Sequence, residues 1–517
     1  MAVDYTDQAR IAYLSWVAAE DNEAELWVRT LREYARGEHP TYLTDRQEEF
    51  IGLKAKDADH LYAHNLCHLV IASVVERLHV TGFEPVDEND AEGTALATLA
   101  AQWWDENRMD ARQDELHEAA CRDGEAFLIV EWPDGAEGPK WAINYQYDGT
   151  QGVKLHRDPV TNDPLFASKR WQEYDPLRPD QRASATRLTL YFPDRVEKWI
   201  STRPGEGTRL KLDGRDVNTQ WLEVNWKPYQ GEDGKEPWPI WWTDTGEPGG
   251  APLGLAVVGF LNPGGSEIAD LLPIQDMLNK TDLDLIAAAD TAGFRILWAA
   301  GVKAVIDKTT GTEAALTVGP GQLLRLDDVA ASLNAIEPVD MERLIRTSKY
   351  WIESAAGITR TPQYLFEALG ADQPSGESLK QREIGLLSKV ERKQRTWGNC
   401  YEDVAHMSAR LWNRYKMGEE APIARLSTQW KAPEINNKLE DVQIGVQMMS
   451  LNVPDEIIWA EQLGWDQEMI DKAVALRDEQ MQAQANIGGE LLRAFEGGGG
   501  NGLPPQARQG QAQQGRG

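Results

Sequence analysis

The sequence predicts an α+β protein, and three observations carry that reading. A run of about forty residues, Pro374 to Met417, keeps an unbroken helical period. The stretch from 125 to about 245 alternates apolar and polar residues between Gly, Pro and Asp turn signals. Further helical patterns precede and follow that stretch, which separates the helices from the strands along the chain.

Two helical segments open the chain, residues 5 to about 36 and 45 to 80. The second carries Leu66, Val70, Val74 and Leu78 at helical spacing and stops near Gly82. A third helix is expected from about Ala91 to Ala120. Asp123-Gly124 then turns the chain into a strand, Glu125 to Trp132, closed by a Pro-Asp-Gly turn. WAINYQY, RLTLYF, RVEKWI and TQWLEVNW continue the alternation, so residues 125 to about 245 should form a mixed or antiparallel sheet region. The Gly- and Pro-rich segment 229 to 265 reads as a loop-heavy linker.

Ser266 to Phe294 is expected to be the next helix, capped by Ser266, bent near its start by Pro273 and ended by Gly293. The short strand patterns RILWAAG, LTVGPG and QLLRLDD form an insertion from about Ile296 to Val339. Met341 to Gly357 then returns to helix, and Ile358 to Gly376 has no clear period. The long helix follows, with Leu379, Leu386, Val390, Trp397, Tyr401, Val404, Leu411 and Tyr415 recurring on one face. At a rise of 1.5 Å per residue it would run about 60 Å, so it needs partners along its length. Lys380, Arg382, Lys389, Arg392, Lys393 and Arg395 oppose only Glu383 and Glu391 there; this is either a solvated face or a local basic surface. A strand, IARLSTQW, and helical segments at 436–452, 454–463 and 466 to about 486 complete the ordered chain. The low-complexity end, 487–517, is expected to be disordered.

Composition narrows the function. The 517 residues carry 53 basic and 83 acidic side chains, a net charge of −30, which opposes non-specific adhesion of the bulk surface to nucleic acid. It leaves room for a channel through which DNA slides without sticking. Twenty tryptophans suit interfaces between subunits or domains. Three cysteines, Cys67, Cys121 and Cys400, lie far apart with no CxxC pair, as expected for a reducing cytoplasm. Neither a signal peptide nor a long uninterrupted apolar run is present, so no membrane span is expected.

Catalytic motifs are absent: there is no GxxxxGK[ST] loop, GxSxG elbow, HExxH pair or GxGxxG after a strand, and GPGQLL at Gly319 reads as a turn. One constellation could bind metal. His60, His64 and His68 fall four apart within an expected helix, so a metal-dependent enzyme is an alternative, although a polar stripe explains the spacing equally well.

The order of parts resembles the portal proteins of tailed bacteriophages. SGESLKQRE at Ser375 to Glu383, SEIADLLPIQDMLNKTDLDLIAAADTAGFRILWAAG at Ser266 to Gly301 and NLCHLVIASVVERLHVTGF at Asn65 to Phe83 carry the resemblance, which covers most of residues 5 to 480. It implies an α/β wing at 1–265, stem helices at 266–295 and 341–357, and a small α/β clip at 296–340. It further implies a tunnel loop at 358–376, the long helix and return to the wing at 377–432, a helical crown at 433–486 and a tail at 487–517. The family's subunits form a ring, usually of twelve, at one capsid vertex around a channel for double-stranded DNA in genome packaging and ejection. Its partners would be the terminase large subunit, major capsid and scaffolding proteins and a head–tail adaptor; the protein would be assembled in the host bacterial cytoplasm and reside in the virion.

A portal is not an enzyme, needs no cofactor and reads no base sequence, which agrees with the missing motifs. A channel for a polyanion should be acidic or neutral with few cations, since each phosphate contact adds salt-dependent affinity that would hold DNA still. The expected channel-facing cations are Lys303 and Lys308 in the clip, Arg346 and Lys349 on the second stem helix, and Arg360 and Lys380 beside the tunnel loop. Ion pairs within or between subunits would explain each of them equally well. Another virion structural component is a further alternative, disfavoured by length and element order.

Overall fold

A computed structural model describes residues 22–40, 64–87, 89–149, 151–173, 185–201, 226–231, 233–293, 297–300, 332–335, 340–366, 376–416, 418–433, 448, 469–470 and 472–478. The chain divides into two compact units, Met1–Pro433 and Glu434–Gly517. In the second, the described residues 448, 469–470 and 472–478 are helical; the rest of that unit lies outside the described residues. Helices and antiparallel sheets share the first unit, so the fold is α+β.

Strand β2 (Glu125–Glu131) lies at the centre, between β10 (Val257–Leu261) and β3 (Lys140–Tyr145), both antiparallel to it. Ala126 to Val130 are fully buried, because helices α4 (Met109–Asp123) and α7 (Gly376–Tyr415) cover the sheet; this is why the strand reads as a continuous apolar run. β10 arises inside the segment expected to be a linker. Its short apolar run among glycines and prolines signals no strand alone, and pairing with β2 makes it one.

Helix α1 (Asn22–Arg36) and helix α2 (Leu66–Val75) are the described parts of the two expected N-terminal helices. The single helix expected over 91–120 is two: α3 (Ala91–Glu106) and α4, broken at Asn107 and Arg108, where Arg108 has a left-handed φ of 54°. Asn107 explains the break. Its buried amide donates to the Trp103 and Pro139 carbonyls, and its side-chain oxygen accepts from the Trp141 N–H. The bonds to Pro139 and Trp141 tie the corner to the start of β3, the one to Trp103 caps α3, and together they outweigh the propensity to continue the helix.

A six-stranded antiparallel sheet completes the β-rich region. β4 (Gly152–Arg157), β5 (Pro164–Glu173), β6 (Ala185–Tyr191), β7 (Arg195–Ser201) and β8 (Trp226–Pro228) follow in order, and β9 (Ile240–Trp241) also pairs with β7. Helix α5 (Leu272–Gly293) starts later than the Ser266 cap predicts, after a 3-10 turn at Ala269–Leu271. Pro273 is its second residue, where a missing N–H is harmless. Strand β11 (Leu297–Ala300) pairs antiparallel with β12 (Ser332–Ala335), helix α6 (Met341–Thr359) follows, and β13 (Leu426–Trp430) pairs with β1 (Val80–Pro85).

Helix α7 spans 40 residues as its period predicts. Leu386, Val390, Trp397, Tyr401, Val404 and Leu411 are fully buried, whereas the Leu379 side chain is not described and Tyr415 is exposed. Tyr401 meets Trp104, Phe260 and Trp430, and each such buried side chain contributes about 1.5–3 kcal/mol. Among the described residues, no helix is long and apolar enough to cross a membrane.

Candidate functional site

Helices α5 and α6 form an antiparallel pair. Trp351 Nε1 donates to Thr281 Oγ1 at 3.2 Å, and Ser348 Oγ donates to Asp282 Oδ1 at 2.5 Å. The β11–β12 pair lies between them in sequence. The two helices thus pack side by side, joined by polar contacts along their length.

The first set sits on α5. Gln275, fully buried, donates to the His64 carbonyl at 2.6 Å and accepts from the Leu66 N–H at 2.9 Å. Asn279 accepts from the His64 N–H at 3.2 Å and bonds His39 Nδ1 at 2.8 Å, while the Tyr34 hydroxyl donates to Asp276 at 2.6 Å. Burial draws His39 below its ordinary pKa, which favours a neutral ring here. Sequence reasoning missed this set. The available signal was Gln275 and Asn279, four apart on the same helical face as Leu271 and Leu278.

The second set joins the root to α7. Lys393 Nζ donates to Glu267 Oε1 at 2.5 Å and to Asn262 Oδ1 at 2.6 Å. Lys389 pairs with the other Glu267 oxygen and donates to the Thr359 carbonyl at 2.8 Å, at the end of α6. Burial alone would raise the Glu267 carboxyl, but the two ammonium charges and their hydrogen bonds outweigh it and hold the pKa down at about 2. This corrects the expected basic surface on the long helix. Lys389 and Lys393 point inward, and Glu383 is buried, pairing with Arg77 at 3.3 Å and accepting from the Tyr364 hydroxyl. Helical spacing cannot tell a solvated cation from one that answers a carboxylate over a hundred residues away.

The outer face of α6 is open. At 100° per residue, Arg346, Lys349 and Tyr350 share it, with Ile345 and Ile358 at its borders, and all five are exposed. Arg346 is paired with Glu342 of its own helix at 2.6 Å, while Lys349 makes no ion pair among the described residues. Arg360 caps α6 in a left-handed conformation, φ 53°, and is exposed. Lys380 lies in α7, but its side chain, like Lys303 and Lys308 entirely, is outside the described residues. The structure thus brings Arg346, Lys349 and Arg360 onto one helix and its cap.

The histidine alternative loses its geometry. Helix α2 begins at Leu66 with Asn65 as its cap, so His64 precedes the helix and does not share a face with His68. His64 Nδ1 instead lies 3.4 Å from Asp282 Oδ2. His60 is outside the described residues, and among the described ones no group of three His, Cys, Asp or Glu is placed to hold a metal ion. The Asn65 cap was the missed signal: it was read as the interior of a longer helix.

Residues 53–484 match the family model described as phage portal protein, SPP1 Gp6-like. The chain is similar to the portal protein of Mycobacterium phage D29, 24% identical over 411 residues that cover 76% of this chain and 74% of that protein. It is equally similar to the portal protein of Mycobacterium phage L5, 24% identical over 412 residues with the same coverage of each chain.

Proposed function

Because this chain belongs to the SPP1 Gp6-like family of phage portal proteins, we propose that copies of it close into a ring, of twelve subunits, around a channel for double-stranded DNA. The family role is structural, in the virion and in genome packaging. In this reading α5 and α6 are the stem, 296–340 the clip, 358–376 the tunnel loop, 1–265 mostly the wing and 433–486 the crown. The clip docks the terminase large subunit and later the head–tail adaptor; capsid and scaffolding proteins surround the ring.

The antiparallel α5–α6 pair is the observation that supports the reading most. It leaves Ile345, Tyr350 and Ile358 exposed on a helix whose root is fixed by two buried polar clusters. Exposed apolar side chains on a helix anchored at its end suit contact with an adjacent copy, because a heterologous contact repeated by rotation closes a ring. Arg346, Lys349 and Arg360 remain the described candidates for sparse phosphate contacts in the channel. The chain's charge of −30 keeps the surrounding surface slippery for a polyanion.

Native mass measurement and negative-stain imaging of the purified chain test the proposal. A closed ring of twelve with a central hole is expected. A subunit that stays monomeric at every salt and protein concentration would overturn it.

A further inference from the structure

Past the end of α6 the chain crosses α7 as a short strap, residues 360–366. Its upstream end is pinned: Thr359 is 5% exposed, and the Lys389 ammonium of α7 donates to its carbonyl at 2.8 Å. The strap lies directly against Gly385 of α7, where an added Cβ would come within 3.4 Å of the Arg360 Cβ. The Thr361 N–H donates to the Ala356 carbonyl at 3.1 Å. A 3-10 turn at Gln363–Leu365 follows, with the Leu365 and Phe366 N–H groups on the Pro362 and Gln363 carbonyls, and Phe366 joins the buried core.

One polar contact clasps the middle of the strap. The Tyr364 hydroxyl donates to the Glu383 carboxylate, which is buried in α7 and also pairs with Arg77 at 3.3 Å. Arg77 is itself fixed, donating to the Ser73 carbonyl in α2 at 2.8 Å. A carboxylate this deep needs its donors, so Tyr364 is tied to a fixed point of the fold.

Three costs fall on the same few residues. Arg360 has a φ of 53°, in the left-handed region that a residue with a Cβ enters only at a cost. Thr361 is buried, and its hydroxyl has no hydrogen-bond partner. The Arg77 Nε behind the clasp is enclosed and equally unpartnered. Among the described residues, no side chain of α6 or α7 has a buried polar atom left in that state. All three costs vanish when the strap lifts, because water then reaches both polar atoms and Arg360 regains an ordinary φ. Against them stand the Phe366 ring and the Tyr364 clasp, so the docked and lifted states are closer in free energy than folded and unfolded helix.

We propose that residues 360–366 are a releasable strap, which lifts from α7 about Arg360 while α6 and α7 stay folded, and that the Tyr364 hydroxyl on Glu383 is its clasp. The strap's place in function rests on the portal reading: there it is the first part of the loop proposed at 358–376, and lifting it lengthens that loop. Hydrogen exchange of the full chain, read by mass spectrometry as protection of 361–366 against 386–390 of α7, tests the strap itself. In the unaltered chain the strap should be the less protected of the two. Tyr364→Phe keeps the ring and should widen the gap about tenfold, the worth of one hydrogen bond. Thr361→Val removes the orphaned hydroxyl and should narrow it. Equal protection of the two segments, a gap unchanged by Tyr364→Phe, or a gap widened by Thr361→Val would overturn the proposal. Exchange is read whether or not the chain assembles, so a chain that never closes into a ring overturns the portal reading and leaves the strap standing, and a ring without these differences does the reverse.

Discussion

Replacing Glu267 by glutamine should cost more stability than removing either lysine that holds it. The cluster carries two ammonium groups and one carboxylate, with side-chain exposures of 15% for Lys389, 3% for Lys393 and 8% for Glu267. Lys393→Met leaves a neutral pair, Lys389 with Glu267, and removes two charge-assisted hydrogen bonds, a loss of about 3 kcal/mol. Glu267→Gln leaves two buried like charges with no counter-charge, a loss of about 4 kcal/mol. The depressed carboxyl points the same way: a fall from 4.5 to about 2 corresponds to roughly 3 kcal/mol at ~1.36 kcal/mol per pH unit. A carboxyl held below its unfolded value stabilises fully above pH 4.5, and that contribution fades as pH falls through 2. Urea unfolding at pH 7, followed by tryptophan fluorescence, measures both variants. The reasoning is refuted if Glu267→Gln costs less than about 1 kcal/mol, or less than Lys393→Met.

Three more outcomes follow from the packing. His117 is fully buried beside Trp397 and bonded to the Tyr401 hydroxyl at 2.9 Å, and burial lowers its pKa to about 3. Below pH 6.5 the unfolded chain takes up a proton the fold refuses, so stability falls by about 1.4 kcal/mol per pH unit towards 3; His117→Phe should flatten that slope in urea midpoints measured from pH 6.5 to 4.5. Asn107→Ala removes three bonds at the α3–α4 corner and should lower stability by about 2–3 kcal/mol, read as a fall in thermal midpoint. Ile345→Glu with Tyr350→Glu should abolish ring formation in native mass spectra while leaving the subunit's far-UV circular dichroism unchanged, because both side chains are exposed in the single chain.

Periodic signals were legible where they depended on near neighbours. Helix α7 follows from apolar residues in steps of three, four and seven, and the α+β class from the separation of helical and alternating stretches. The order of parts pointed to the portal family for the same reason, since succession along the chain survives at 24% identity. Signals that depended on distant partners were not legible. Val257 to Leu261 became a strand only against β2, and Asn107 broke a helix only because β3 supplied its partners.

The sequence by itself determined the long rod, the class of fold and the family, because covalent neighbours set helical and strand periods. Tertiary structure alone decided which charges are buried. Lys389 and Lys393 look like Arg392 and Arg395 in the helix, yet the first two enclose Glu267 and the others face water. Electrostatic worth is set by distance and burial, and both belong to the folded chain.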